Sequence, residues 1–143
     1  MRRLQMSAFT LLELVITLAI VAVLALFAVP AYRSQVARAH RVDAASALLR
    51  AAQFVEGAAS DSMLALPPGF NQAPQLGSAV YRLRVLPADD ANGGYAIEAA
   101  PDESGPMRDD ACGVFTLDAT GMRGNRSAAN GSVPPSAECW GTS

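Results

Sequence analysis

Residues 9–32 read FTLLELVITLAIVAVLALFAVPAY, and the reading of Glu13 within them decides how the chain is built. Glu13 is the only charge between Arg3 and Arg33. A carboxylate within a membrane-spanning helix costs roughly 2.5–3.5 kcal/mol on insertion scales, so it calls for a partner. No Lys, Arg or His lies one helical turn away to supply one in cis. As a helix rising 1.5 Å per residue the run measures about 36 Å, enough to cross a hydrocarbon core of about 30 Å. Two ordinary readings exist, a retained anchor and a removed secretory signal with Val29-Pro30-Ala31 as its cleavage site. Glu13 interrupts the apolar region, and the run exceeds the usual signal core of about 7–15 residues.

Pro30 lacks a backbone donor and is expected to kink or end the helix. Beyond it the pattern still reads helical. Val36, Leu48, Leu49, Ala52 and Val55 recur at helical spacing, with Arg33, Arg38, Arg41 and Arg50 interspersed. Alanines at 44, 45, 47, 51 and 52 favour helix. One long helix is therefore expected from near Phe9 to about Val55 or Ala59, apolar all round in its first half and amphipathic in its second.

The stretch from Ser7 to Val15, with Arg2 and Arg3 before it, resembles the class III signal of type IV pilins. In that family a short basic leader is cut before a Phe, and the fifth mature residue is Glu. The resemblance implies cleavage between Ala8 and Phe9 by a prepilin peptidase, N-methylation of Phe9, and an assembly role for Glu13. Pro30 matches a proline common in the family's helix. Ala8 stands where the family usually has Gly, the least drastic replacement in a tight subsite, and slower cleavage is expected. The resemblance also supplies the partner for Glu13. In a fibre its carboxylate can meet the Phe9 ammonium of a neighbouring subunit or of its own chain. A buried unpaired charge penalises wrong stagger, so the pair would set register. Positive-inside counting, with Arg33, Arg38 and Arg41 close behind the span, favours a cytoplasmic C-terminus. The cysteines and the resemblance favour the opposite, with the bulk of the chain outside.

After Gly57 the helix signals fade. Leu66-Pro67-Pro68-Gly69 and Gln72-Ala73-Pro74 mark a connecting loop. Tyr81, Leu83 and Val85 alternate with Arg82 and Arg84, as in a strand. Asp89 to Gly94 reads as a turn. Tyr95, Ile97 and Ala99 mark a second strand, and Val114 to Ala119 a third. Asn125 to Pro135 reads as loop. The expected organisation is a leader (1–8), a membrane-spanning and assembly half-helix (9–32), an amphipathic half-helix (33–58), a connecting loop (59–78) and a sheet domain (79–143). The fold class is α+β, a long N-terminal helix packed on a small antiparallel sheet.

Two cysteines, Cys112 and Cys139, follow an apolar N-terminus, the composition of an exported protein with one disulfide. The alternative is two reduced thiols in a cytosolic chain. Loop-closure bookkeeping gives such a bond roughly 3–4 kcal/mol, which matters in a domain this small. Cys112-Gly113-Val114-Phe115-Thr116-Leu117, then Gly121 to Gly124 and a Cys139-Trp140 exit, resemble the disulfide-bounded loop of PilE-type minor pilins.

The formal charge of -2 argues against a nucleic-acid binder held by bulk electrostatics. All 11 basic residues are arginine, and Arg82, Arg84, Arg123 and Arg126 form a possible local basic patch, with a salt-bridged surface as the plainer reading. His40 has no visible catalytic partner. Asp89, Asp90 and Asn92 fail as a calcium loop, because aligning Gly93 with the EF-hand glycine puts Ala88 at the first ligand position. Asp102, Glu103, Asp109 and Asp110 read as solvated loop charges. Asn125 and Asn130 open glycosylation-type sequons, read as plain loop polarity. Ser60, Ser62 and the other serines lack a nearby base or a nucleophile elbow. No enzyme, metal site or cofactor is expected.

The leading expectation is a minor pilin, held in the bacterial inner membrane with its C-terminal domain periplasmic and then built into an extracellular pilus. Its implied partners are other pilin subunits, the prepilin peptidase and the inner-membrane assembly machinery. Priming or tip assembly, motility, adhesion and DNA uptake are the roles this opens. The alternatives are a major pilin, a type II secretion pseudopilin, whose commonest form lacks the Cys-bounded tail, a pilus-borne DNA or adhesion module, and a secreted domain cleaved after Ala31.

Overall fold

In a computed structural model, residues 9–58, 65–128 and 131–141 are described. The elements in chain order are α1 (Leu11–Gly57), β1 (Gln72–Ala73), β2 (Tyr81–Leu86), β3 (Ala96–Pro101), β4 (Val114–Asp118), β5 (Arg123–Arg126) and α2 (Ser136–Trp140). The chain divides into two compact units, one ending at Val36 and one beginning at Ala37.

In the first unit α1 continues through Pro30 rather than ending there. It is long and apolar enough to cross a membrane. The helix opens on Thr10, whose hydroxyl accepts the Glu13 amide at 3.2 Å. The Thr10 carbonyl takes the Leu14 amide at 3.1 Å. Thr10 is thus the N-cap and Glu13 the third helical residue, a Thr-x-x-Glu arrangement of the capping-box kind.

In the second unit the rest of α1 lies on a five-stranded antiparallel sheet of order β1-β2-β3-β4-β5. Ala44, Ala47, Leu48, Ala51 and Val55 make the buried stripe, a three- and four-residue spacing that keeps one helix face on the core. Its three alanines let helix and sheet approach closely. Full burial of Leu48 and Val55 contributes about 1.5–3 kcal/mol each. Leu49, expected with that stripe, lies largely exposed beside it.

On the sheet, Tyr81, Leu83 and Val85 face the core while Arg82 and Arg84 are exposed, as their alternation predicts. Ile97, Ala99, Phe115 and Leu117 continue the core across β3 and β4. Phe115 meets Tyr81 and Trp140 edge-on, with ring centroids 5.9 and 5.5 Å apart. Cys112 and Cys139 are joined by a disulfide, which ties the entry of β4 to α2. Gly113, next to Cys112, has φ +59, and a Cβ there would collide with the Arg126 carbonyl. Only glycine serves at that point, because the backbone is left-handed and β5 passes directly over it.

The sheet has two more strands than the alternation suggested. β1 holds only two residues and lies inside the expected connecting loop. β5 reads Arg-Gly-Asn-Arg and begins before the expected Asn125–Pro135 loop, taking in its first two residues. Neither carries an apolar rhythm, because an edge strand can be held by backbone pairing alone.

Candidate functional site

The residues expected to act fall into two groups. Phe9, Glu13 and Pro30 belong to the N-terminal helix, and Ala8 lies outside the described residues. Phe9 and every large apolar side chain from Leu11 to Val29 are exposed. A helix segment whose exposed side chains are almost all apolar, with one carboxylate, needs either lipid or other helices around it. Glu13 stands in the first turn of α1, where the positive end of the helix dipole favours an acidic residue. The Thr17 hydroxyl returns to the Glu13 carbonyl at 2.7 Å.

The second group is the arginines. β-sheet register aligns Arg84 with Glu98, Glu98 with Thr116, and Thr116 with Gly124. Arg126 stands two residues from Gly124 and so shares that outer face. Arg84 donates Nε and Nη2 to Glu98 Oε2 at 3.0 and 2.7 Å. Arg126 donates Nε and Nη2 to Glu98 Oε1 at 3.2 and 3.0 Å. Arg82, on the same face, donates Nε to Asp102 Oδ2 at 2.6 Å. Burial pushes the Glu98 carboxyl up, but the hydrogen bonds from Arg84 and Arg126 outweigh it and hold it below the usual glutamate range. Asp102 is held low by the Ser104 hydroxyl and by Arg82.

Arg123 does not join them. It pairs with Leu117, on the opposite face, and its guanidinium sits 5.3 Å from the Trp140 ring centre. The expected patch of four is therefore three arginines on one face of the sheet and one on the other, beside Trp140.

Several polar residues have partners that local sequence could not indicate. Asp110, read as a solvated charge, is taken by Arg41 of α1 through Nε–Oδ2 at 3.0 Å and Nη2–Oδ1 at 2.5 Å. Its Oδ2 also accepts the Cys112 amide at 3.3 Å. The Asp89–Gly94 segment is a turn closed by Asn92, which is buried with Oδ1 on the Asp89 and Gly94 amides and Nδ2 on the Pro87 carbonyl. Asn125 Nδ2 is turned inward to the Cys112 and Pro134 carbonyls and to Cys139 Sγ. Asn130, Ser60 and Ser62 lie outside the described residues. His40 is partly buried on α1. Among the described residues no group of three or more His, Cys, Asp or Glu is placed to hold a metal ion.

An apolar N-terminal helix, a five-stranded antiparallel sheet and a C-terminal disulfide together make the type IV pilin fold. Residues 30–116 match the family described as type IV minor pilin ComP, DNA uptake sequence receptor, and the chain belongs to that family. The pilin-like signal around Phe9 and the closing cysteine lie outside the matched segment, so they support the assignment independently. No curated protein matches the chain.

Proposed function

We propose that this minor pilin enters a type IV pilus through its N-terminal helix, after removal of residues 1–8 and N-methylation of Phe9. The observation that carries this is the exposed apolar helix whose single carboxylate, Glu13, stands one turn from the new N-terminus. Before assembly the helix anchors the chain in the inner membrane with the sheet domain in the periplasm. In the fibre, apolar helices pack together and Glu13 meets a Phe9 ammonium, which sets the stagger. Desolvation offsets much of the attraction, so the pair acts on register more than on total stability. The partners are other pilin subunits, the prepilin peptidase and the assembly machinery, and a contribution to priming or to the tip fits a minor subunit. Intact mass of the membrane-extracted protein tests the reading. A chain beginning at Phe9 with an added methyl group supports it, and one beginning at Tyr32 refutes it.

A second reading, participation in DNA uptake, is favoured by the family description and by the arginine face. The formal charge of -2 requires such a contact to be local. Arg82, Arg84 and Arg126 are well exposed, whereas the carboxylates they engage lie beneath them. Titration of a labelled DNA duplex with the full-length protein in detergent tests it, and absence of binding at low salt removes it.

A further inference from the structure

Glu98 is an outward-facing residue in the middle of the sheet, yet it is only 5% exposed. Two guanidiniums cover it, Arg84 from β2 and Arg126 from β5. A guanidinium has five N–H donors. Each of these spends two on Glu98, which leaves three on side chains that remain 65% and 52% exposed. Arg82 stands over Asp102 through a single donor, Nε. Seen from solvent, the face offers forked cationic donors with their counter-charges underneath.

Charge counting treats Glu98 as an obstacle to an anionic ligand. The geometry points to the reverse: we infer that Glu98 is a positioning residue, which holds Arg84 and Arg126 spread and outward for the phosphodiester backbone of DNA. The inference rests on the DNA-uptake reading above. A free arginine loses rotamer freedom when it clamps a phosphate. One already held by a buried carboxylate has lost it during folding, so less is lost on binding. The Arg84–Glu98–Arg126 group keeps a net positive charge, and a planar fork favours phosphate geometry over a point charge.

The test is fluorescence anisotropy of a labelled duplex with full-length protein in detergent micelles, across a salt series. Arg84→Ala and Arg126→Ala should each weaken binding and lower the log–log salt slope by about 1. Glu98→Ala should weaken binding about 3- to 10-fold although it removes a negative charge, and Glu98→Gln, which keeps an acceptor oxygen, should fall between it and the parent. Arg84→Lys and Arg126→Lys keep the charge and lose the fork, so they should weaken binding with the salt slope unchanged. These two variants carry the test if Glu98→Ala does not fold. Tighter binding by Glu98→Ala, or full affinity in both lysine variants, overturns the positioning role. Failure of the parent to bind duplex removes the DNA-uptake reading and this inference with it. Binding that survives both arginine-to-alanine changes leaves DNA uptake standing and overturns the inference alone.

Discussion

The Arg41–Asp110 pair offers a measure of how firmly the disulfide loop is held to the helix. Asp110 is 8% exposed and accepts from three donors, two on Arg41 and one on the Cys112 amide. Arg41→Ala leaves that carboxylate without its counter-charge. Stranding a fully buried charge costs about 3–5 kcal/mol. Arg41 is 26% exposed, so water can enter where its guanidinium stood, and about 2–3 kcal/mol is expected. Asp110→Ala frees Arg41 to turn toward solvent but strands the Cys112 amide, at about 1–2 kcal/mol. The double variant should cost less than the sum, with a coupling of about 1–2 kcal/mol. In a domain of this size each kcal/mol moves Tm by about 4–8 °C. Thermal melts of the four full-length proteins in detergent, followed by the near-ultraviolet signal of the packed aromatics with the disulfide intact, complete the cycle. Additive effects, or a loss below about 0.5 kcal/mol for Arg41→Ala, would refute the reasoning.

Four further outcomes are expected. Glu13→Val should insert in the membrane at least as well as the parent and be poorly incorporated into fibres, and normal incorporation in sheared pilus preparations would contradict the register role. Ala8→Gly should speed leader removal in a peptidase time course, and an unchanged rate would show that alanine is no handicap. Reduction of Cys112–Cys139 should lower Tm, since the bond closes a long loop worth roughly 3–4 kcal/mol, and an unmoved melt would oppose that. The lowered Glu98 carboxyl contributes stability that is complete above the ordinary glutamate value of 4.5 and lost as pH falls through its lower folded value. A Glu98→Gln protein should therefore lose less stability than the parent between neutral and acid pH, as read by denaturant melts.

The parts of the protein legible in its sequence are those written by nearest-neighbour chemistry. The apolar run and its lone Glu13 need no fold to be read, because hydrocarbon imposes the same demand on any helix. The Tyr81–Val85 alternation and the alanine-rich face of α1 are periodic, and period reports burial directly. Gly113 between Cys112 and Val114 carried a motif, while its steric reason lies in β5 crossing above it.

What tertiary structure alone decided is which charges meet. Asp110 lies 69 residues from Arg41, and Glu98 lies 14 and 28 residues from its two arginines. No local pattern encodes such pairings, because they follow from strand register and from the packing of a helix on a sheet. The same holds for β1 and β5, whose edge positions are set by backbone hydrogen bonds that carry no side-chain signature. Sequence therefore determined that the chain has an apolar helix long enough to cross a membrane and a small domain closed by one disulfide. The fold determined that three arginines share one face, two of them over a hidden glutamate, and that Arg123 stands apart on Trp140, because strand pairing alternates side chains between two surfaces.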